Sequence, residues 1–171
     1  MIIKAEKFIL RPYGKGDEES LARNINDKEI YRSTLRIPYP YTLEDAKEWV
    51  GKNLKEGKKK EPAEINFVID INNEVAGGIG LSEIKGHQAE IGYWIASKYR
   101  NKGIMTLALK KVTKFGFEKI KLRRIYACVF PFNKASMRIL KKNGYRLEGI
   151  LIKEIKKGNK LLDNCLFAKV R

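Results

Sequence analysis

The apolar positions of the chain change period several times, and each change marks an element. Lys7–Pro12 (KFILRP) reads as a short strand that Pro12 ends or sets at a sheet edge. Asp17 is a capping residue for a helix reaching about Asn26, with Leu21, Ala22 and Ile25 on its buried side. Tyr31–Tyr41 has no period; with its prolines, tyrosines, Arg32 and Arg36 it reads as irregular chain. Thr42 caps a second helix, Leu43 to about Lys55, with Glu44–Asp45 in its first turn and Ala46, Trp49, Val50 and Leu54 as its stripe. After the charged connection Lys55–Glu61 the period drops to two. Ile65, Phe67, Ile69 and Ile71 alternate, Asn72-Asn73 turns the chain, and Val75–Ile84 returns. Ala89–Ala96 alternates again, with Ile91, Tyr93 and Ile95 on one face and Trp94 on the other. Ile104, Leu107, Ala108, Val112 and Phe115 then recur at helical spacing. Arg123–Phe130 is a strand, and Lys134–Lys142 a helix ended by Asn143-Gly144. Tyr145–Ile152 and Lys160–Lys169 are the last strands, joined through Lys157-Gly158-Asn159.

That order, β-αα-βββ-α-β-α-ββ, predicts one α/β domain over residues 1–171, layered on a mixed sheet. At 171 residues the chain buries a core without staples. No apolar run approaches the roughly 20 residues that span a membrane, and the start lacks a signal-peptide core. Cys128 and Cys165 are too few for a disulfide framework, which points to a reduced cytoplasm. With one histidine and no clustered cysteines a histidine- or cysteine-rich metal site cannot be assembled, and a Ser-His-Asp or Cys-His triad, which would have to use His87 beside Gly86 in a turn, is discounted. The formal charge is +16, which attracts anions, although a lysine-rich background explains most of the excess.

The chemistry concentrates in Ala89–Lys111, AEIGYWIASKYRNKGIMTLALKK. A strand passes through a loop bearing Lys98, Arg100 and Lys102, turns at Gly103 and enters a helix. Unpaired N–H groups at the positive end of a helix dipole form an anion site. Glycines at 77, 78 and 80 offer a second cradle, but strands flank them on both sides. They are read as a bulge or a close backbone approach instead.

EIGYWI followed by RNKGIMT and AL resembles the acyl-CoA-binding core of the GNAT N-acetyltransferases. Arg100 and Gly103 match the family's pyrophosphate loop, while Met105 stands where the family has a small residue. The likeness runs over nearly the whole chain and is closest to the RimJ/RimL-type branch, which acetylates protein N-termini. It implies a GNAT fold: a mixed, mostly antiparallel sheet splayed between its fourth and fifth strands, with about four flanking helices and CoA in the gap. It also implies acetyl-CoA as co-substrate and direct amine attack on the thioester.

The residue roles follow from that resemblance. Trp94 and Ile95, on a strand opened by a bulge over Gly92–Ala96, would bond the acyl carbonyl and pantetheine through their backbone. The N–H groups of Arg100, Asn101, Lys102, Gly103, Ile104, Met105 and Thr106 would hold the pyrophosphate, with Lys98 adding charge. The family's usual tyrosine acid is replaced by Leu140. Asn133-Lys134-Ala135-Ser136 instead matches the branch's N-x-A-S element, so Ser136 is the proton donor to the thiolate and Asn133 a CoA contact. Equally, a serine in the first turn of a helix often just bonds backbone. Glu154, in a segment resembling LEG…E…NG but one residue shorter, is the leading base; Glu90 is the second, as a water orienter.

An α-amine with pKa near 8 is about one-tenth neutral at pH 7, whereas lysine is neutral in about one molecule in 2,500. A site without histidine therefore suits a protein N-terminus, with a ribosomal protein as a candidate acceptor. A polyamine would want an acidic mouth, and the segments expected to line it, Tyr31–Tyr41 and Lys153–Lys160, are mixed or positive. The alternatives are a GNAT acting on a small amine (polyamine, aminoglycoside or amino-sugar), an acyl-CoA binder without turnover, and a basic RNA-binding module. The alternation of RRIYACVF is explained by sheet burial, which disfavours direct nucleic-acid binding. A homodimer stays open.

Overall fold

The computed structural model describes all 171 residues. One sheet of eight strands runs in the order β1-β2-β3-β4-β5-β6-β8-β7. The strands are β1 (Ile3–Lys4), β2 (Ile9–Arg11), β3 (Ile65–Ile71), β4 (Glu74–Lys85), β5 (Gln88–Ile95), β6 (Arg124–Val129), β7 (Arg146–Lys157) and β8 (Lys160–Val170). The helices are α1 (Glu18–Ile25), α2 (Lys28–Ser33), α3 (Leu43–Glu56), α4 (Ile104–Glu118) and α5 (Lys134–Lys142). β1 and α2 lie outside the sequence reading, because a two-residue strand and a six-residue helix carry no measurable period. The start of the segment read as irregular, Tyr31–Ser33, is therefore helical. β7 also runs past Ile152, which puts Glu154 on a strand.

Side-chain parity sorts the core into two layers. Phe67, Ile69, Ile79 and Ile91 face α4 and α5 in a main cluster with Met105, Leu109 and Phe115. Val68, Val75 and Trp94 face α1 and α3, joining Tyr13, Leu21 and Val50. Adjacent residues of one strand pointing to opposite clusters is what a sheet covered on both faces requires.

Two caps illustrate how local chemistry sets the frame. Thr42 forms the expected capping box, accepting from the Asp45 N–H at 3.1 Å while the Asp45 carboxylate accepts from the Thr42 N–H at 2.7 Å. Asp17 does not cap α1. Its carboxylate is taken by the Arg11 guanidinium, with two bonds of 2.8 Å, because Arg11 is half-buried between Asp17 and Asp70 and needs both charges.

The three glycines of β4 are close approaches. A Cβ on Gly77 would lie 2.5 Å from the Trp94 carbonyl oxygen, and one on Gly78 would lie 2.6 Å from the Trp94 indole nitrogen. They let β4 and β5 pack with the indole lying across the strand.

The feature that matters for function is where β5 and β6 part. They pair in parallel only over Gln88–Glu90 against Arg124–Tyr126. Beyond Glu90 the rest of β5 has β4 on one side and open space on the other. The register of β5 on β4 is unbroken from Ile95 to Glu90, and its irregularity falls at Ser82–Lys85. The bulge expected over Gly92–Ala96 is therefore absent, and the sheet opens because β6 diverges.

Candidate active site

The opening leads into a cleft of about 1510 Å³ that reaches from the start of α4 to the far ends of β4 and β7. Every residue that the sequence assigned to the site lines it except Lys98.

At one end is the loop before α4. Asn101 (φ 61°) and Gly103 (φ 75°) both take left-handed backbone, which turns successive N–H groups the same way. The Arg100 N–H bonds to the Ser97 carbonyl and the Leu107 N–H to the Gly103 carbonyl, but no N–H from Asn101 to Thr106 has a backbone acceptor. A run of such donors at the N-terminus of a long helix is built for an anion.

The cations around the loop are not equivalent. The Lys98 ammonium is 2.7 Å from the Glu74 carboxylate, which Tyr99 and Arg23 also contact. Those three donors, Lys98 foremost, hold the Glu74 carboxyl down to about 2. Arg100 donates to Asp27 at 2.9 Å, the residue that caps α2. Lys102 makes no ion pair, lies 5.7 Å from the centre of the Tyr99 ring and is the cation left for a ligand. Met105 is buried in the main core cluster while also lining the cleft.

Along the gap, backbone parity decides which peptide groups are exposed. The Ala96 N–H bonds to Ala76 on β4, and in an antiparallel pair alternate residues face the same neighbour. Trp94 and Gly92 therefore bond toward β4, while Ile91, Tyr93 and Ile95 turn N–H and C=O to the gap. Ile95 thus presents its peptide group to the gap and Trp94, bonded toward β4, does not; Tyr93 does.

Ser136, in the first turn of α5, is buried. Its N–H donates to the side-chain amide oxygen (Oδ1) of Asn133 at 3.1 Å, the cap of the helix. Its hydroxyl does not back-bond to the helix but lies 2.7 Å from the Tyr93 hydroxyl. Burial pushes the Tyr93 phenol up to about 12. Leu140, one turn further along α5, is fully buried in the core.

On the other face of β5, three carboxylates from three strands converge. Burial raises the Glu90 carboxyl above the ordinary range, Arg36 acts against this, and Glu83 and Glu154 push it further up. Arg36 reaches Glu83 at 3.4 Å and Glu90 at 3.8 Å. Tyr126 donates to Glu83 at 3.1 Å, and Asn164 to the exposed Glu154 at 2.9 Å. The mouth is thus acidic, which the reading of Tyr31–Tyr41 and Lys153–Lys160 missed. Glu83, at φ 51° in the irregular end of β4, and the buried Asn164 carry no sequence signal that assigns them to a site.

A splayed sheet, a helix N-terminus stripped of acceptors and an exposed strand edge between them define an acyl-CoA-dependent acyltransferase. The profile of the Acetyltransferase (GNAT) domain matches residues 7–146, and the chain belongs to that family. It is an acetyl-CoA-dependent N-acetyltransferase. A crystal structure of a GNAT-family acetyltransferase from Bacillus anthracis is 32% identical, with a TM-score of 0.87 over 99% of this chain and 98% of that one. The spermidine N(1)-acetyltransferase of Escherichia coli K12 is 28% identical over 88% of this chain and 78% of its own length. RimL, a ribosomal L7/L12 α-N-protein acetyltransferase solved with coenzyme A, has a TM-score of 0.89 over 99% of this chain and 98% of that one, at 21% identity.

Proposed function

We propose that the chain acetylates a protein N-terminal α-amine in the cytoplasm, by direct attack on acetyl-CoA in a ternary complex. One observation carries the mechanism: Glu90 and Tyr93 lie on opposite faces of β5 at the mouth of the gap. A base and an acid group therefore flank the thioester from the two sides of the sheet.

In this reading the N–H groups of Asn101–Thr106, with Lys102, bind the diphosphate, and the Tyr93 and Ile95 peptide groups receive the pantetheine and acyl carbonyl. Asn133 uses its side-chain oxygen for the helix cap, leaving its side-chain amide N–H groups for CoA. Glu90, with its pKa raised mainly by burial, is the better base at neutral pH, and Glu154, held by Asn164, orients water or the incoming amine. Ser136 donates its hydroxyl hydrogen bond to the departing thiolate, and solvent supplies the proton as CoA leaves. The amine's proton leaves through Glu90 as the C–N bond forms and the C–S bond breaks.

The α-amine is favoured because a carboxylate can compete for its proton near pH 7 far more readily than for that of lysine. A second reading, a small polycationic amine, is supported by the convergence of Glu83, Glu90 and Glu154 and by the spermidine-acetylating relative. Thiol release measured with an Ala- or Ser-starting peptide against spermidine separates them. A higher kcat/KM for the peptide is expected; turnover of spermidine alone overturns the α-amine reading. Glu90→Gln should lower kcat/KM for either acceptor by roughly 10²-fold.

A further inference from the structure

We propose that Tyr93 is a positioning residue for the transfer, its hydroxyl fixing the direction of the Ser136 O–H so that the serine hydrogen faces the departing sulfur. The inference rests on the reading of Ser136 as the donor to the thiolate.

A serine hydroxyl rotates freely unless something claims it, and in the first turn of a helix the usual claimant is backbone. Here backbone does not claim it. No backbone carbonyl accepts from the Ser136 hydroxyl; the Phe132 carbonyl, four residues back, accepts from the Lys134 N–H at 2.9 Å and the Asn133 carbonyl from the Met137 N–H at 3.2 Å. The side-chain partner of the Ser136 hydroxyl is Tyr93, at 2.7 Å. The Tyr93 hydroxyl has one other contact, the Ser136 carbonyl at 3.5 Å, which is at the limit of a hydrogen bond. Either hydroxyl can donate in the short contact, and the proposed polarity places the phenolic hydrogen there. With Tyr93 donating to Ser136 Oγ, the serine hydrogen has only the cleft to point into.

The environment keeps this polarity constant. Burial of the phenol disfavours its ionised form, so Tyr93 keeps the hydrogen it would donate throughout the working pH range. No net proton leaves Tyr93: the serine hydrogen bonds to sulfur as the C–S bond breaks, and solvent completes protonation as CoA leaves. The arrangement also gives meaning to parity on β5. Tyr93 exposes its peptide group at the strand edge while its side chain reaches the face that carries α5. One residue would thus set both a backbone contact for the thioester and the orientation of the donor.

The test is a double-mutant cycle on the full chain, read as single-turnover acetyl transfer to the faster of the two acceptors above. Tyr93→Phe keeps the ring in its packing and removes only the hydroxyl. It should slow transfer about 10-fold, a part of the roughly 10²–10⁴ that a whole acid–base group contributes. Acetyl-CoA affinity by calorimetry should stay within about twofold, and Ser136→Ala should be slowed at least as much. The double variant should be no slower than Ser136→Ala, because an orienter has nothing to orient once the hydroxyl is gone. A wild-type rate for Tyr93→Phe, or a double variant slowed by the product of the two single effects, overturns the proposal. A wild-type rate for Ser136→Ala overturns the donor reading as well, so the two failures are distinguishable. Should Tyr93→Phe melt early, the sulfur dependence decides through Ser136→Ala. Its deficit should shrink with an acetyl thioester of a more acidic thiol; an unchanged deficit makes the pair structural.

Discussion

Lys98 and Lys102 sit in one loop with the same charge, yet their surroundings give them different work. Lys98 and Glu74 form an ion pair, and removing either mainly disturbs the other. Lys102 has no carboxylate, so its charge is available to a phosphate. Lys102→Ala should weaken CoA binding about 10-fold, and Lys98→Ala about threefold or less, both measurable by calorimetry at fixed salt. Glu90 gives a pH signature. A base with a raised pKa is active only above that pKa, so the acid limb of kcat/KM should lie above the ordinary carboxylate range and vanish in Glu90→Gln. Folding also takes up a proton between the ordinary and the raised value, so stability falls as pH rises through that window. Glu90→Gln should therefore melt slightly higher than the parent at pH 7 while losing activity, a trade seen where function keeps a strained charge. None of this can be read from a residue type, since burial and neighbours distant in the chain, Arg36 in a loop and Glu83 and Glu154 on two other strands, set it.

At the scale of elements, the reading by period succeeded wherever a segment was long enough to show one. The helices Leu43–Glu56 and Ile104–Glu118 and the strands β3 to β6 lie where the alternation predicts. It failed at β1 and α2, which are shorter than a period, and at the end of β7, where exposed residues alternate with nothing. The bulge expected over Gly92–Ala96 came from resemblance; the ladder to β4 has no break there. The glycines of β4 are the element-level requirement for the gap, because Gly77 lets the Trp94 carbonyl approach. Gly77→Ala should cost about 1–3 kcal/mol in stability by urea denaturation and should weaken CoA binding too, since β5 must move. Loss of stability with unchanged CoA affinity would mean that the β5 edge takes no part in binding.

For the whole molecule, the cleft lies between two parts of one sheet joined only by the short pairing of Gln88–Glu90 with Arg124–Tyr126. A ligand that touches α4 and β5 on one side and α5 on the other should brace the junction. Acetyl-CoA at 100 times its Kd should stabilise the fold by about 2.7 kcal/mol, seen as a rise in melting temperature. Its absence would show that CoA binds the unfolded chain equally or does not bind. The +16 charge adds a field that steers an anionic co-substrate, so association should slow as salt rises from 0.05 to 0.5 M by roughly tenfold, with dissociation changing less. The acidic mouth is an island in that field. A protonated amine is drawn to it while the phosphates are drawn to the other end of the cleft.

The order of the longer elements and the strand–loop–helix of Ala89–Lys111 were legible in the sequence, because they rest on local spacing; resemblance singles out Ser136, Glu90 and Glu154, and the fold sets all three along one cleft. The pairing of Ser136 with Tyr93, the commitment of Lys98 to Glu74 and of Arg100 to Asp27, and the gathering of Glu83, Glu90 and Glu154 were decided only by the fold. Those relations join residues far apart in the chain, and a hydrogen bond or an electric field depends on distance through space. Local periodicity can say which face a side chain takes; only the packed sheet says what waits there.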